Sequence, residues 1–226
     1  MGTGPWPYYA RPRPGGGGYF TPAAVEAVRA RMRELAQPEA LEWLHDLAPA
    51  LIDAVRATGL PVLEAPLMEL TIPRVVDTSA VRILDADDPA VGPARAVADI
   101  GFKAAGTAVG PEGPAERDAA VKPTALEFLR ERLRRRLTVM AVAETEDGPV
   151  AVGSHQPVGD VTEVVGVATL PCARRRGFGA AITRALVEDA LAHGARTVFL
   201  SAGSEEIARV YGRLGFSRIG TACIAG

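Results

Sequence analysis

Apolar residues recur along this chain in two periods, and the change from one to the other divides it. Val25, Val28, Met32 and Leu35 fall at helical spacing, predicting a helix over 22–36. Thr21-Pro22 opens it, with threonine as the cap and proline at the first helical position. The apolar run at 41–44 reads as a strand, and 49–58 as a second helix stopped by Gly59. Residues 61–72 read as extended chain that Pro61 and Pro66 confine to an edge or a broken strand. A polar joint follows at 73–80. Beyond it come a strand at 81–84, a helix signalled by Asp85, Asp88 and Pro89 that runs to about Phe102, a loop at 106–113, and a helix over 119–136.

Strand periodicity then takes over. Residues 137–144, 150–155 and 161–170 read as three strands joined by turns at Asp147-Gly148 and Gly159-Asp160. A glycine-punctuated turn at 171–179 leads into a helix to about His193. A strand at 197–201, a helix at 205–214 and a strand pair over 216–225 complete the pattern. The pattern predicts an α/β fold of α+β character: a mixed sheet with helices on its faces. Two regions are expected, a lobe at 1–75 and a larger domain at 80–226.

The chain has 226 residues, 48% of them hydrophobic and 23% charged, enough for one large domain or two small lobes around a real core. The net charge of −2 argues against a general nucleic-acid binder. No apolar run approaches the roughly 20 residues that span a bilayer, so no membrane role is expected. Cys172 and Cys223 make no disulfide framework, and the start of the chain, rich in Pro, Gly and Tyr, lacks the apolar core of a secretory signal. The expected location is cytoplasmic. Arg130, Arg132, Arg134, Arg135 and Arg136 read as a solvated helix face whose charge complements the helix dipole.

The candidate chemistry lies at 164–181, where a strand runs through a basic, glycine-marked turn into an amphipathic helix. The first turn of a helix has unpaired N–H groups and the positive end of the dipole, which suits a diphosphate. Gly177 and Gly179 let phosphate oxygens approach the backbone, and Arg174, Arg175 and Arg176 add positive charge at the rim. The bland alternative is a tight turn before a core helix. There is no Gly-Lys-Ser/Thr of a Walker A loop, and the glycine spacing is not that of a dinucleotide-binding Rossmann unit.

In context, this stretch resembles the GNAT acetyltransferase superfamily, whose acyl-CoA loop reads Arg/Gln-x-x-Gly-x-Gly/Ala after a strand. Arg174, Gly177 and Gly179 fill those places, followed by Ala180. The family's downstream pattern, Asn-x-x-Ala-x-x-x-Tyr-x-x-x-Gly-Phe, is met by Tyr211, Gly215 and Phe216, while Ser204 replaces the asparagine and Ile207 the alanine. The resemblance implies the GNAT acyl-CoA N-acyltransferase fold, acetyl-CoA as the cofactor, no metal, and direct transfer to an amine acceptor, small molecule or peptide. The protein would act as a monomer or homodimer. The resemblance places the pantetheine arm along Val165, Val167 and Thr169, with an amide near Val167 or Ala168 facing the thioester oxygen. It places the diphosphate on the amides of Arg175, Arg176, Gly177, Phe178, Gly179 and Ala180, with Ser204 and Tyr211 beside the cofactor.

Glu163 occupies the place of a catalytic glutamate in several family members, where a carboxylate can take the ammonium proton; the alternative is a strand-end residue facing solvent. Tyr211 stands where the family often has the proton donor to the leaving thiolate; the alternative is a core tyrosine. His155, near a hairpin, is a candidate substrate contact or a structural histidine. Cys172 and Cys223 read as structural.

The two ends of the chain share a spacing. Pro38, Leu44 and Gly59 precede Gly194, Leu200 and Gly215 by the same 156 positions. Residues 1–72 therefore resemble a degenerate, partial GNAT lobe, as in two-lobed GNAT proteins of actinobacteria. Thr21 stands there where Gly177 stands later, and Val55 where Tyr211 does, so this lobe is not expected to bind CoA. Its aromatics Trp6, Tyr8 and Tyr9 are candidates for a substrate wall, with core packing as the alternative; Trp43 reads as core. Two rivals to an enzyme remain: a non-catalytic acyl-CoA-binding or sensing module, and a structural or toxin–antitoxin-like interaction protein.

Overall fold

The structure, a computed structural model, describes residues 9–13, 15, 19–104, 106–122 and 126–226. Trp6 and Tyr8 lie outside the described residues. The chain divides into two compact units: Met1–Met68 with Ser201–Ala208 and Arg218–Gly226, and Glu69–Leu200 with Arg209–Ser217. Where the sequence pattern placed a first lobe at 1–75, the first unit closes its N-terminal part at Met68 and adds two C-terminal pieces.

The first unit holds α1 (Pro22–Glu34), β1 (Leu41–Leu44), a 3-10 turn at His45–Leu47, α2 (Leu51–Arg56) and most of β2 (Val62–Leu70). From Arg218 onward it also holds β8 (Phe216–Ala225). Thr21 Oγ1 accepts from the Ala24 amide at 3.2 Å, the cap that the Thr-Pro pair predicts. The strands lie in the order β1-β8-β2, and β1 runs antiparallel to β8 with Trp43 opposite Cys223. Val25, Leu41, Trp43, Leu51, Ile52 and Val55 pack with Cys223 and Ala225 as its core, so Trp43 is a core residue. Contrary to the broken strand expected from its prolines, β2 runs unbroken through Pro66. The Pro66 carbonyl still accepts, from the Ala202 amide at 2.9 Å, and only its missing N–H is lost to pairing.

The second unit holds β3 (Val81–Ile83), α3 (Val91–Lys103), α4 (Pro114–Ala120), α5 (Glu127–Arg134), β4 (Val139–Thr145), β5 (Gly148–Val158) and β6 (Val161–Thr169). After a 3-10 turn at Pro171–Ala173 come α6 (Phe178–Ala192) and β7 (Thr197–Ser201). The division between units falls within α7 (Glu205–Arg213). The strand order is β7-β6-β5-β4-β3, with β6 and β7 parallel and the other pairs antiparallel. The sheet is mixed, as the pattern predicts.

Two predicted elements are corrected. The single helix over 119–136 is two, because α4 ends at Ala120, where Val121 turns extended at ψ 126°, and α5 starts at Glu127. The strand pair over 216–225 is one strand, β8. Of the arginines in and just after α5, Arg134, Arg135 and Arg136 are exposed, as a solvated face predicts, and Arg130 and Arg132 are half-buried. Arg130 reaches the Ala86 and Asp88 carbonyls, Arg132 the Leu137 carbonyl and Thr138, and Arg136, at the left-handed φ of 50°, pairs with Asp189 at 2.7 Å. Among the described residues, no helix is long and apolar enough to cross a membrane.

Candidate active site

The site begins with an irregularity in β6. Opposite β5, Ala168 pairs with Val152 but Val165 pairs with Ser154, so β6 spends one residue more than its partner over that step. Gly166 takes up the excess at a left-handed φ of 66°, a conformation that glycine adopts without penalty. Past the bulge, neighbouring side chains alternate between the two faces. Val167 lies toward Ile182 and Leu186 of α6, where a Cβ on Gly153 would meet all three. Ala168 lies against α3, 2.9 Å from where a Cβ on Gly101 would stand.

On its other edge, β6 pairs with β7 only through Val161–Thr197, Thr162–Val198 and Glu163–Phe199. Past Glu163 that ladder stops. The stretch bearing Val165, Val167, Ala168 and Thr169 therefore has an edge that β7 does not cover, beginning where half-buried Glu163 sits. Unpaired strand edges are templates for another extended chain.

The chain then enters the basic turn. Arg175 takes a left-handed φ of 63° and Gly177 one of 87°, and α6 starts at Phe178. Among the described residues, nothing accepts a hydrogen bond from the amides of Arg175, Arg176, Gly177, Phe178, Gly179 or Ala180; the first to be used is that of Ala181, which donates to Gly177 at 3.1 Å. Six successive donors at a helix start make an anion cradle. Gly179 has only Thr169 Oγ1 and Val167 Cγ1 near its missing Cβ, at 3.8 and 4.0 Å. The Arg176 guanidinium lies 5.0 Å from the centre of the Phe178 ring. Arg174 is spent differently: its guanidinium donates to the carbonyls of Gly101, Ala104, Ala108 and Thr169.

Against that geometry, the model of the acetyltransferase (GNAT) family matches residues 110–216. Residues 110–216 are a GNAT acetyltransferase domain. Solved structures agree in fold. A GCN5-related N-acetyltransferase from Kribbella flavida superposes with a TM-score of 0.60 at 23% identity, over 91% of this chain and 74% of that one. One from Sphaerobacter thermophilus gives 0.55 at 15%, over 86% and 62%. A conserved protein of unknown function from Staphylococcus epidermidis gives 0.53 at 17%, over 90% and 77%. No curated protein matches the chain.

Within the GNAT domain, Tyr211 is half-buried on α7, its ring edge-on to Phe216 with centroids 5.9 Å apart. Burial pushes its phenol up to about 12. Gly215 must be glycine: its φ is 99°, and a Cβ there would stand 1.8 Å from the Ile72 carbonyl oxygen. Ser204 caps α7, its Oγ accepting from the Ile207 amide at 3.2 Å.

His155 is corrected to its structural alternative. It is 1% exposed, with Nδ1 2.8 Å from Thr162 Oγ1 and Nε2 2.9 Å from Asp189 Oδ2, leaving no ring nitrogen for a substrate. Tyr9, in the first unit, is 44% exposed. No group of three metal-ligating side chains gathers among the described residues.

Sequence reasoning passed over two features. The bulge was signalled by Gly166 inside a strand of apolar residues. The engagement of Arg174 had no signal, because its partners are backbone carbonyls, which sequence does not distinguish.

Proposed function

We propose that the protein is an acetyl-CoA-dependent N-acetyltransferase that acylates a primary amine, of a small molecule or a peptide, by direct attack. The observation that carries this reading is the run of six unused amides from Arg175 to Ala180 beside the open edge of β6. The residues fit the coenzyme. The amides and the dipole of α6 would hold its diphosphate, with Arg175 and Arg176 at the rim. The β6 edge along Val165, Val167 and Thr169 would pair with the pantetheine arm as with an added strand. Bound there, the coenzyme supplies an acetyl group as a thioester.

Each remaining role falls to a residue of the second unit. The Glu163 carboxylate, at the last rung before the opening, takes the ammonium proton from the acceptor directly or through water. An amide at Val167 or Ala168, beside the bulge, donates to the thioester oxygen as negative charge grows there. The Tyr211 hydroxyl, held protonated by burial, donates a hydrogen bond to the leaving sulfur. A phenol at about 12 is a weaker acid than a thiol at about 8.5, so Tyr211 keeps its proton and stabilises the departing thiolate by the hydrogen bond, and the thiolate takes its proton from solvent.

The first unit is proposed as a repeat that has lost this chemistry. α1 and α6 start 156 positions apart, as do β1 and β7. At α1, however, Pro22 brings no amide hydrogen and Thr21 Oγ1 occupies the Ala24 amide, so no cradle is left for phosphate.

The test is a panel of primary amines with acetyl-CoA, read by thiol release. Release dependent on one class of amine supports the reading. Tight coenzyme binding with no release on any amine would favour a sensing module.

A further inference from the structure

We propose that Arg174 is a positioning residue: it anchors the entrance of the diphosphate cradle to the C-terminal end of α3 and does not itself contact phosphate. This deepens the function proposed above and rests on it for the identity of the ligand.

All three guanidinium nitrogens are committed. Nε donates to the Thr169 carbonyl at 3.4 Å and Nη1 to the Ala108 carbonyl at 3.1 Å. Nη2 donates to the Gly101 and Ala104 carbonyls at 2.9 and 2.7 Å. Gly101 and Ala104 stand at the end of α3, whose last carbonyls lack helical partners and carry the negative end of the dipole, so a cation there is favourable. The Arg174 amide is used as well, donating to the Pro171 carbonyl at 3.3 Å. The approach is close because Gly101 has no side chain: a Cβ would meet Ala168 Cβ at 2.9 Å and the Thr169 carbonyl oxygen at 3.3 Å. The last residues of β6 and the end of α3 thus come together, and the guanidinium spans both.

The next residue, Arg175, is left-handed, and the six unused amides begin there. Arg174 is therefore the last fixed point before the cradle, and its fork sets where the turn starts. Lysine keeps the charge but has no planar fork with which to reach several carbonyls at once. The charge that faces phosphate is left to Arg175 and Arg176.

The experiment compares wild type with Arg174→Lys and Arg174→Gln. Amide hydrogen exchange without coenzyme should quicken at 101–108 and 170–174 in both variants, and elsewhere stay as in wild type. Calorimetric titration should show coenzyme A and 3′-dephospho-coenzyme A weakened by the same factor, about tenfold, with lysine nearly as poor as glutamine and the salt dependence of binding unchanged. Wild-type affinity in Arg174→Lys would overturn the inference, because charge alone would then suffice. So would a reduced salt dependence in Arg174→Gln, a selective loss of coenzyme A over its dephospho form, or unchanged exchange at 101–108. A wild-type protein that binds no coenzyme would instead remove the proposed function, while the exchange comparison would still decide the anchoring role.

Discussion

Gly153 of β5 lies directly under Ile182 of α6, so close that a Cβ would stand 2.6 Å from Ile182 Cγ2. Leu186 and Val167 crowd the same point, each 3.1 Å away. Ile182 and Leu186 are fully buried, so the height of α6 above the sheet is set where β5 has no side chain. Gly153→Ala should lift the helix. Overpacking of this kind costs about 1–3 kcal/mol, to be read by urea unfolding. Coenzyme affinity should fall too, since the first turn of α6 would shift from β6. Unchanged stability would show that the helix has slack.

Gly179 offers the opposite case. A Cβ there meets only ordinary contacts, at 3.8 Å or more, within the protein. Gly179→Val should leave thermal stability almost unchanged, because the helix-propensity difference is only a few tenths of a kcal/mol. It should weaken coenzyme binding by about tenfold or more if, as proposed, phosphate oxygens approach the backbone here. Calorimetry with coenzyme A decides it, and wild-type affinity would move the diphosphate off this turn.

The buried pair of His155 and Asp189 should make stability depend on pH. A carboxylate only accepts, so His155 Nε2 carries hydrogen toward Asp189, and Nδ1 accepts from the Thr162 hydroxyl. Arg136 and His193 also face the Asp189 carboxylate. Burial holds the His155 imidazole below its ordinary value, more than the hydrogen bond to Asp189 raises it. The folded protein then binds fewer protons than the unfolded chain just below the ordinary value of about 6.5. The neutral-imidazole contribution is complete above that value and is lost as pH falls toward the depressed one. Unfolding in urea from pH 7.5 down to 5 should show this decline, and His155→Gln should flatten it. A slope that survives the substitution would point to other groups.

Tyr211→Phe keeps the ring against Phe216 and removes the hydroxyl. Turnover should fall by about 10²-fold, the lower end for a lost acid–base group, with coenzyme affinity nearly unchanged. In wild type, a phenol held at about 12 should keep the rate from falling as pH passes 10, the ordinary phenol value. Equal turnover in the phenylalanine variant would leave Tyr211 as packing only.

What could be read from the sequence follows from which interactions are local. The strands at 41–44 and 197–201 and the helix opened by Thr21-Pro22 came out at their observed bounds or within two residues, because periodicity and caps are local. The turn at Gly177 and Gly179 was legible for the same reason. The division of 119–136 was missed although Pro123 marked it. The fate of His155 depended on Asp189, a residue 34 positions away on another element, so only the assembled structure resolves it. The same holds for Arg174, whose partner Gly101 lies 73 positions away.

The surplus residue in β6 changes the parity of the strand. Before Gly166, the even positions Thr162 and Val164 sit on the α6 side with His155; after it, the odd position Val167 does. One strand thus turns differently registered positions toward α6 in succession. Removing Gly166 would give a more regular ladder and take away the bulge beside Val167 and Ala168, so the proposed coenzyme edge depends on an irregularity in the pairing.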